Sequence, residues 1–198
     1  MTQRRTFMLG ACASLLPLPL LAQTFAPTAI QTTNVVDALA AAGNYDDFIE
    51  LLSRAGAVDT LRGAGPFTLL APNNRAMQRM PNALREMLAP STGGSGSSGD
   101  TTPGTDFVRL GAFVNMHIIQ GRYSLVDMMG RVTQLRTRNG NQIEFDGMRG
   151  DVVQAKIVGD SGFGVGGLNV SLAPITLAQR EILCSNGIVL PISEPLIQ

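Results

Sequence analysis

The sequence is short of the residues from which catalytic and metal centres are commonly built. It has one histidine, His117, among 198 residues, which excludes a multi-histidine metal site. It has two cysteines, Cys12 and Cys184. Cys12 falls in the N-terminal leader described below, so the mature chain is expected to hold one thiol and no internal disulfide, which an exported domain of this size can sustain. Neither sign of charge dominates, since 15 Lys and Arg balance 15 Asp and Glu. Loss of Arg4 and Arg5 with the leader leaves about −2 (13 − 15). No basic stripe remains to neutralise a phosphate backbone, which excludes a nucleic-acid partner. No apolar run reaches the roughly 20 residues of a membrane-spanning helix. The carboxylates are scattered, and spacing assigns no pair of them to acid–base work.

What is present is apolar and Arg-rich at the start. Hydrophobic residues make up 44% and charged residues 15%, a balance suited to one compact domain with a sizeable core. The chain opens Thr2-Gln3-Arg4-Arg5-Thr6-Phe7-Met8-Leu9, followed by an apolar stretch from Gly10 to Leu21 and the small residue Ala22. A basic head, an apolar middle of about twelve residues and a small residue form a secretory signal over 1–22. The run is too short to span a bilayer and is broken by Pro17 and Pro19. Paired arginines before Phe7-Met8 resemble the twin-arginine export signal. Leu9-Gly10-Ala11-Cys12 superficially resembles a lipoprotein box, but the better apolar segment lies after Cys12, which disfavours a lipid anchor there. The expected location is periplasmic or secreted.

Beyond the leader, residues 30–198 read as a single domain. Asn34 caps a helix running to Ala42, and Asn44 is expected to cap the next, with Asp46 and Asp47 in its first turn and Phe48, Leu51 and Leu52 on its buried stripe. Ala57 to Leu61 adds a turn. Gly65 to Pro72 is a short apolar run bracketed by prolines, the signature of a buried strand. Asn73 or Asn74 caps a helix containing Met77 and Met80, and Pro81-Asn82 restarts it with Leu84, Met87 and Leu88 as its stripe. Residues 90–105 collapse to Ser, Thr, Gly, Pro and Asp, a composition expected to form a flexible insertion. Asp106 then caps a helix bearing Phe107, Leu110, Phe113 and Val114, which reaches His117 before the chain extends through Ile118-Ile119. Ser124 with Asp127 forms a capping-box pattern for a short helix ending at Gly130. Strands follow at Val132–Thr137 and Gln142–Phe145 around the hairpin turn Asn139-Gly140, and at Val152–Val158, Leu168–Leu172 and Gly187–Ile192. Helices first and strands later give an α+β class.

Three separated segments carry a resemblance to the signatures of a known family. Thr68-Leu69-Leu70-Ala71-Pro72-Asn73-Asn74-Arg75-Ala76-Met77 is similar to the first signature of the fasciclin (FAS1) domain family. Met116-His117-Ile118-Ile119-Gln120-Gly121-Arg122-Tyr123 resembles the family's Tyr-His segment, with Met116 in place of the tyrosine. Ser185-Asn186-Gly187-Ile188-Val189 resembles the start of the second signature, with Leu196 where a leucine usually follows. Leu190 and Ser193 stand where the family has His and Asp, and Pro191 is expected to interrupt that strand. Glu181-Ile182 stands where relatives often carry Asp-Ile, a pair tied to receptor binding. The resemblance implies a fasciclin-like α+β fold, N-terminal helices packed on a small sheet or wedge of short strands. It implies a non-catalytic binding or adhesion module contacting protein or polysaccharide at the cell surface, without a cofactor. Its motif residues, binding or structural, are His117, Tyr123, Glu181, Ile182, Asn186 and Gly187.

Other readings compete. His117 is either a pH-sensitive contact or a histidine hydrogen-bonded where a helix meets a strand, and the resemblance favours the second. Gly159-Asp160-Ser161-Gly162 looks like a serine-protease loop, but nothing around His117 resembles the histidine motif of those enzymes. Cys184 reads as a small buried hydrophobe rather than a nucleophile. A serine or cysteine hydrolase is thus the weaker alternative. Gly162 to Gly167 lacks the Lys-Ser/Thr of a phosphate-binding loop and reads as a loop between strands. Met77, Met80 and Met87 follow helical spacing into the core; Met128 and Met129 are either core or a soft contact patch. The Met and aliphatic content also suits a periplasmic carrier of a small apolar ligand.

Overall fold

The computed structural model describes residues 33–89, 103–148, 152–158, 175–177 and 180–197. The leader, most of the 90–105 insertion, Ser161, the glycine-rich 162–167 stretch and the strand expected at Leu168–Leu172 lie outside these residues. In chain order the elements are α1 (Val35–Ala42), α2 (Asp46–Arg54), α3 (Ala57–Arg62), β1 (Phe67–Pro72), α4 (Asn74–Gln78), α5 (Asn82–Leu88), α6 (Pro103–Met116), β2 (Ile118–Gln120) and α7 (Leu125–Met128). Then come β3 (Val132–Arg136), β4 (Gln142–Asp146), β5 (Gln154–Val158), β6 (Ile175–Thr176), β7 (Ile182–Cys184) and β8 (Gly187–Ile192).

Two largely apolar runs set the centre. β1 and β8 pair in parallel from Phe67↔Gly187 to Pro72↔Ile192, and apart from half-buried Phe67 every residue of both is buried. Strands covered on both faces carry such runs because neither face can be polar. β2 flanks β1 and β7 flanks β8, both antiparallel, giving a sheet of order β2-β1-β8-β7. Side-chain alternation splits the core in two. Leu69, Ala71 and Val189 face the helices, joining Leu39, Phe48, Leu52 and Leu61. Leu70, Ile188, Leu190 and Ile192 face the other way, against Ile143, Phe145 and Ala155 of a second, antiparallel sheet of order β3-β4-β5-β6.

The two sheets touch at their margins. Ile119 bridges Thr137, with the Arg138 N–H donating to the Ile118 carbonyl at 2.7 Å; Leu177 bridges Ile192, with the Ser193 N–H donating to Thr176 at 3.0 Å. The expected arrangement, helices on a wedge of short strands, is therefore what forms.

Local chemistry accounts for most boundaries. The Asn34 side chain accepts from Val36 and Asp37 N–H groups, Asn73 caps α4, and Ser124 with Asp127 forms the full capping box of α7. The β3–β4 turn is a three-residue loop in which Gly140 adopts φ 91° and donates to Thr137 at 2.9 Å.

Several expectations need correction. Asn44 does not cap α2. That position is Tyr45, and the open Asp47 N–H is met from across the fold by Asn74 Oδ1 at 3.3 Å, while Asn74 Nδ2 reaches Asp46 Oδ2 at 3.1 Å. Asp106 lies inside α6, which begins at Pro103, so the end of the expected insertion is already helical. Met80 falls past the end of α4 and α7 stops at Met128. Pro191 does not interrupt β8: β7 pairs no further than Val189, so Pro191 sits where β8 has become a local edge and proline is tolerated.

Candidate functional site

The sequence-marked residues lie at several places in the fold, and most are held by an internal hydrogen bond. Asn186 is the most connected. Its Oδ1 accepts the Val35 N–H at 2.9 Å, its Nδ2 donates to the carbonyls of Leu61 at 2.7 Å and Gly63 at 2.8 Å, and its own carbonyl accepts the Phe67 N–H at 3.0 Å. One residue thereby joins the start of α1 and the end of α3 through its side chain and the mouth of β1 through its own carbonyl. Gly187 follows because the backbones crowd there: a Cβ at this position would stand 2.2 Å from the Phe67 carbonyl oxygen.

Tyr123 belongs to a second fastening that the sequence did not reveal. Thr68 on β1 is fully buried; its hydroxyl donates to the Gly121 carbonyl at 2.8 Å and accepts the Tyr123 N–H at 2.9 Å. The tyrosine ring lies over Gly121 (φ 114°), so close that a Cβ there would meet Cε2 at 2.5 Å. Besides opening the first fasciclin-like segment, Thr68 gave one physical signal, a polar residue inside an otherwise apolar strand, which burial obliges to find partners.

Glu181 points inward to α7. Both carboxylate oxygens stand 2.8 Å from the Ser124 hydroxyl, and one accepts the Leu125 N–H at 2.8 Å. A carboxylate at a helix N-terminus meets open donors and the positive end of the peptide dipoles. Ile182 is half-buried against the helix-side core. The two do not stand out together as a receptor-binding pair: Glu181 is committed to α7.

His117 is wholly buried between Phe48 and Phe113, with ring centroids 5.3 and 4.6 Å away. Nδ1 lies 2.8 Å from the Phe113 carbonyl, and the Leu196 N–H donates to Nε2 at 3.0 Å. A carbonyl on one nitrogen and an N–H on the other select the neutral tautomer protonated at Nδ1. Burial pushes the imidazole pKa down to about 4, against the smaller upward pull of the Phe113 carbonyl. Of the two readings of His117, the geometry is that of a histidine hydrogen-bonded at a helix–strand junction, and its buried ring offers no surface for an outside partner.

Cys184 is also fully buried, and burial pushes its thiol up to about 11 despite the nearby Arg122 guanidinium. A thiol that seldom ionises is a poor nucleophile. Among the described residues no group of His, Cys, Asp and Glu is placed to hold a metal ion, and no helix is long and apolar enough to cross a membrane.

Thus Tyr123 and Glu181 converge on one turn, Asn186 and Gly187 on another, and no reactive constellation forms among the described residues. Two surface features remain. Val126, Met129, Val132 and Met148 are exposed around α7 and the start of β3, at 72, 42, 52 and 63%. Met128 is core, so the two neighbouring methionines divide between core and surface. The second feature is a groove of about 310 Å³ between α2, α4 and α5. Its floor is Leu51, Met77, Met80 and Leu88, all nearly buried, and its walls carry Asp47, Glu50, Arg54 and Arg85. Arg54 donates to the Leu88 carbonyl at 2.6 Å and Arg85 to the carbonyl of Gln78, so the walls are charged and the floor offers little apolar surface.

Compared with known proteins, the chain matches the fasciclin domain family over residues 43–198. Among solved structures it is similar to the FAS1 domain pair of the insect cell adhesion molecule fasciclin I, with a TM-score of 0.54 and 22% identity. That likeness covers 79% of this chain and 46% of the other, so the chain spans less than half the length of that pair. No curated protein matches it.

Proposed function

The chain belongs to the fasciclin domain family, and on that premise we propose that it is an exported, non-catalytic binding or adhesion module contacting protein or polysaccharide partners at the cell envelope. The family match carries the reading. It is supported by the commitment of His117, Glu181, Asn186 and Cys184 to internal contacts, and by the exposed apolar side chains around α7 that offer a contact surface. Export rests on Arg4, Arg5 and the apolar run to Ala22. The protein is expected in the periplasm or outside the cell, trimmed near Ala22, without a lipid on Cys12.

Binding of purified protein to envelope preparations, untreated, protease-stripped or stripped of polysaccharide, tests the function. Retention lost on one treatment identifies the partner class. Retention no greater than that of an unrelated exported protein would sink the reading. Fractionation and the intact mass of the mature chain test export, and loss of export in the Arg4→Lys, Arg5→Lys double variant distinguishes the twin-arginine route.

The groove between α2, α4 and α5 is the observation that favours the second reading, a carrier of a small apolar ligand. Its charged walls and covered floor weigh against it. Native mass spectrometry of protein from its host decides: a spectrum free of ligand removes the carrier.

A further inference from the structure

Two methionines far apart in the sequence meet on the outside of the fold. Gly130 and Gly147 make the crossing: the Gly130 N–H donates to the Gly147 carbonyl at 3.0 Å, and the Gly147 N–H to the Arg131 carbonyl at 3.1 Å. The backbones are so close there that a Cβ at Gly147 would stand 2.1 Å from the Met128 carbonyl oxygen and 2.9 Å from Met129 Cα. Met129 enters this crossing on one segment and Met148 leaves it on the other. Both backbones are pinned, since the Met129 N–H donates to the Leu125 carbonyl at 3.1 Å and the Met148 N–H to Asp146 Oδ1 at 3.0 Å. Both side chains are exposed, and so are Val126 and Val132, three residues to either side of Met129. Met77, Met80, Met116 and Met128 are at most 8% exposed, and Met128, the immediate neighbour of Met129, only 1%. The fold thus separates thioethers that solvent reaches from thioethers that it does not.

We propose that Met129 and Met148 form an oxidative modification site: hydrogen peroxide converts their thioethers to sulfoxides while the protein stays folded, and the partner held on this surface is released. In each step a sulfur lone pair attacks one peroxide oxygen. The S–O bond forms as the O–O bond breaks, and the sulfur is oxidised as the peroxide is reduced. The leaving hydroxide takes the proton of the transferred oxygen and departs as water. A flexible apolar side chain becomes a polar one. On the free surface water serves the new S–O dipole. Under a partner that dipole loses its water, and a polar group buried without a hydrogen bond is costly. Both sulfurs stand beside one crossing, so both changes fall on one contact. The valines do not react, which leaves the thioethers as the part of this surface that peroxide can alter. The release rests on the reading of this surface as the contact surface; the selectivity for Met129 and Met148 rests on their exposure alone.

Limited peroxide treatment of the mature chain, read by peptide mapping with fragmentation, tests the site. In the folded protein Met129 and Met148 are expected to gain oxygen about tenfold faster than Met77, Met80, Met116 and Met128, and in denaturant all of them at similar rates. Buried Cys184 is shielded. The circular dichroism of the treated chain is expected to match that of the untreated one, as for changes at exposed positions generally. Its retention on envelope preparations is expected to fall by about tenfold. The Met129→Leu, Met148→Leu double variant has no sulfur to oxidise there, and its retention after treatment is expected to equal its own retention before. Methionine sulfoxide reductases acting on both epimers are expected to restore retention of the treated native chain, which decides the matter even if the double variant is not retained at all. Equal oxidation of Met128 and Met129 in the folded protein, full retention after treatment, an equal fall in the double variant, or no recovery on reduction overturns the proposal and leaves the adhesion reading in place. An untreated native chain that is not retained removes the adhesion reading and the proposed release with it.

Discussion

Acid should loosen this protein through His117, and the size of the effect follows from the burial of one ring. In the folded chain the imidazole is neutral, enclosed by Phe48 and Phe113, and accepts the Leu196 N–H at Nε2. Its pKa falls from the ordinary 6.5 to about 4. Between these values the unfolded chain binds a proton that the folded chain refuses, so stability rises with pH across the window and is lost as pH falls through it. The full gap corresponds to about 3.4 kcal/mol, of which about 2 kcal/mol is already gone at pH 5. That is a large share of the 5–15 kcal/mol typical of a domain. The assay is urea unfolding followed by far-UV circular dichroism at pH 7.5, 6 and 5, on the native chain and on His117→Gln. The variant loses about 1–3 kcal/mol at pH 7.5 from imperfect hydrogen bonds in a buried site. Its further loss between pH 7.5 and 5 should be smaller than that of the native chain by about 2 kcal/mol, because glutamine does not titrate and the carboxylates are common to both. Equal losses in the two proteins, or a ring that titrates near 6.5 by NMR, would refute the reasoning.

Three further outcomes follow from the same geometry. Asn186→Ala removes partners from Val35, Leu61 and Gly63 and should cost about 2–4 kcal/mol in chemical unfolding, while Gly187→Ala, forced against the Phe67 carbonyl, should do at least as much damage. Ser124→Ala and Glu181→Ala should each cost about 1 kcal/mol and together less than their sum, because both serve the same end of α7; strict additivity in a double-mutant cycle would contradict their coupling. Cys184 should resist a thiol reagent in the folded protein at pH 8 and react at once in denaturant, and rapid labelling of the native state would show that its burial is misjudged.

How much of this could be read from the sequence depended on the range of the interactions involved. β1 and β8 were legible because strands covered on both faces must be apolar throughout, and their runs are bounded by Gly65-Pro66 and by Asn186. The caps at Asn34, Asn73 and Ser124 were legible because a capping side chain serves N–H groups two or three residues away. Asn44 was misjudged for the opposite reason. The donor it was expected to meet is served by Asn74, brought close only when α2 and α4 pack. Glu181 and Ser124 lie 57 residues apart, and no local pattern announces that a carboxylate will close a distant capping box. Pro191 looked like a strand breaker because strand propensity says nothing about where the neighbouring strand stops.

The same distinction bears on what the motif residues mean. Asn186, Gly187, His117 and Glu181 are recognisable because the fold consumes them: one amide side chain ties α1 to the end of α3, one missing Cβ admits a carbonyl, one ring holds Leu196, one carboxylate holds α7. A side chain whose donors and acceptors are already engaged has little left for a partner, since breaking a buried hydrogen bond to make an external one gains nothing and exposes the group left behind. Such residues identify the architecture and leave specificity elsewhere. In this chain the contact surface is better sought among side chains the fold does not use, which among the described residues include Val126, Met129, Val132 and Met148 around α7 and the start of β3. Replacing Val126 and Met148 with serine should therefore leave unfolding free energy within about 0.5 kcal/mol of the native value, as for exposed positions generally, while reducing retention on envelope material. Full retention by that double variant would move the contact surface to another face of the domain.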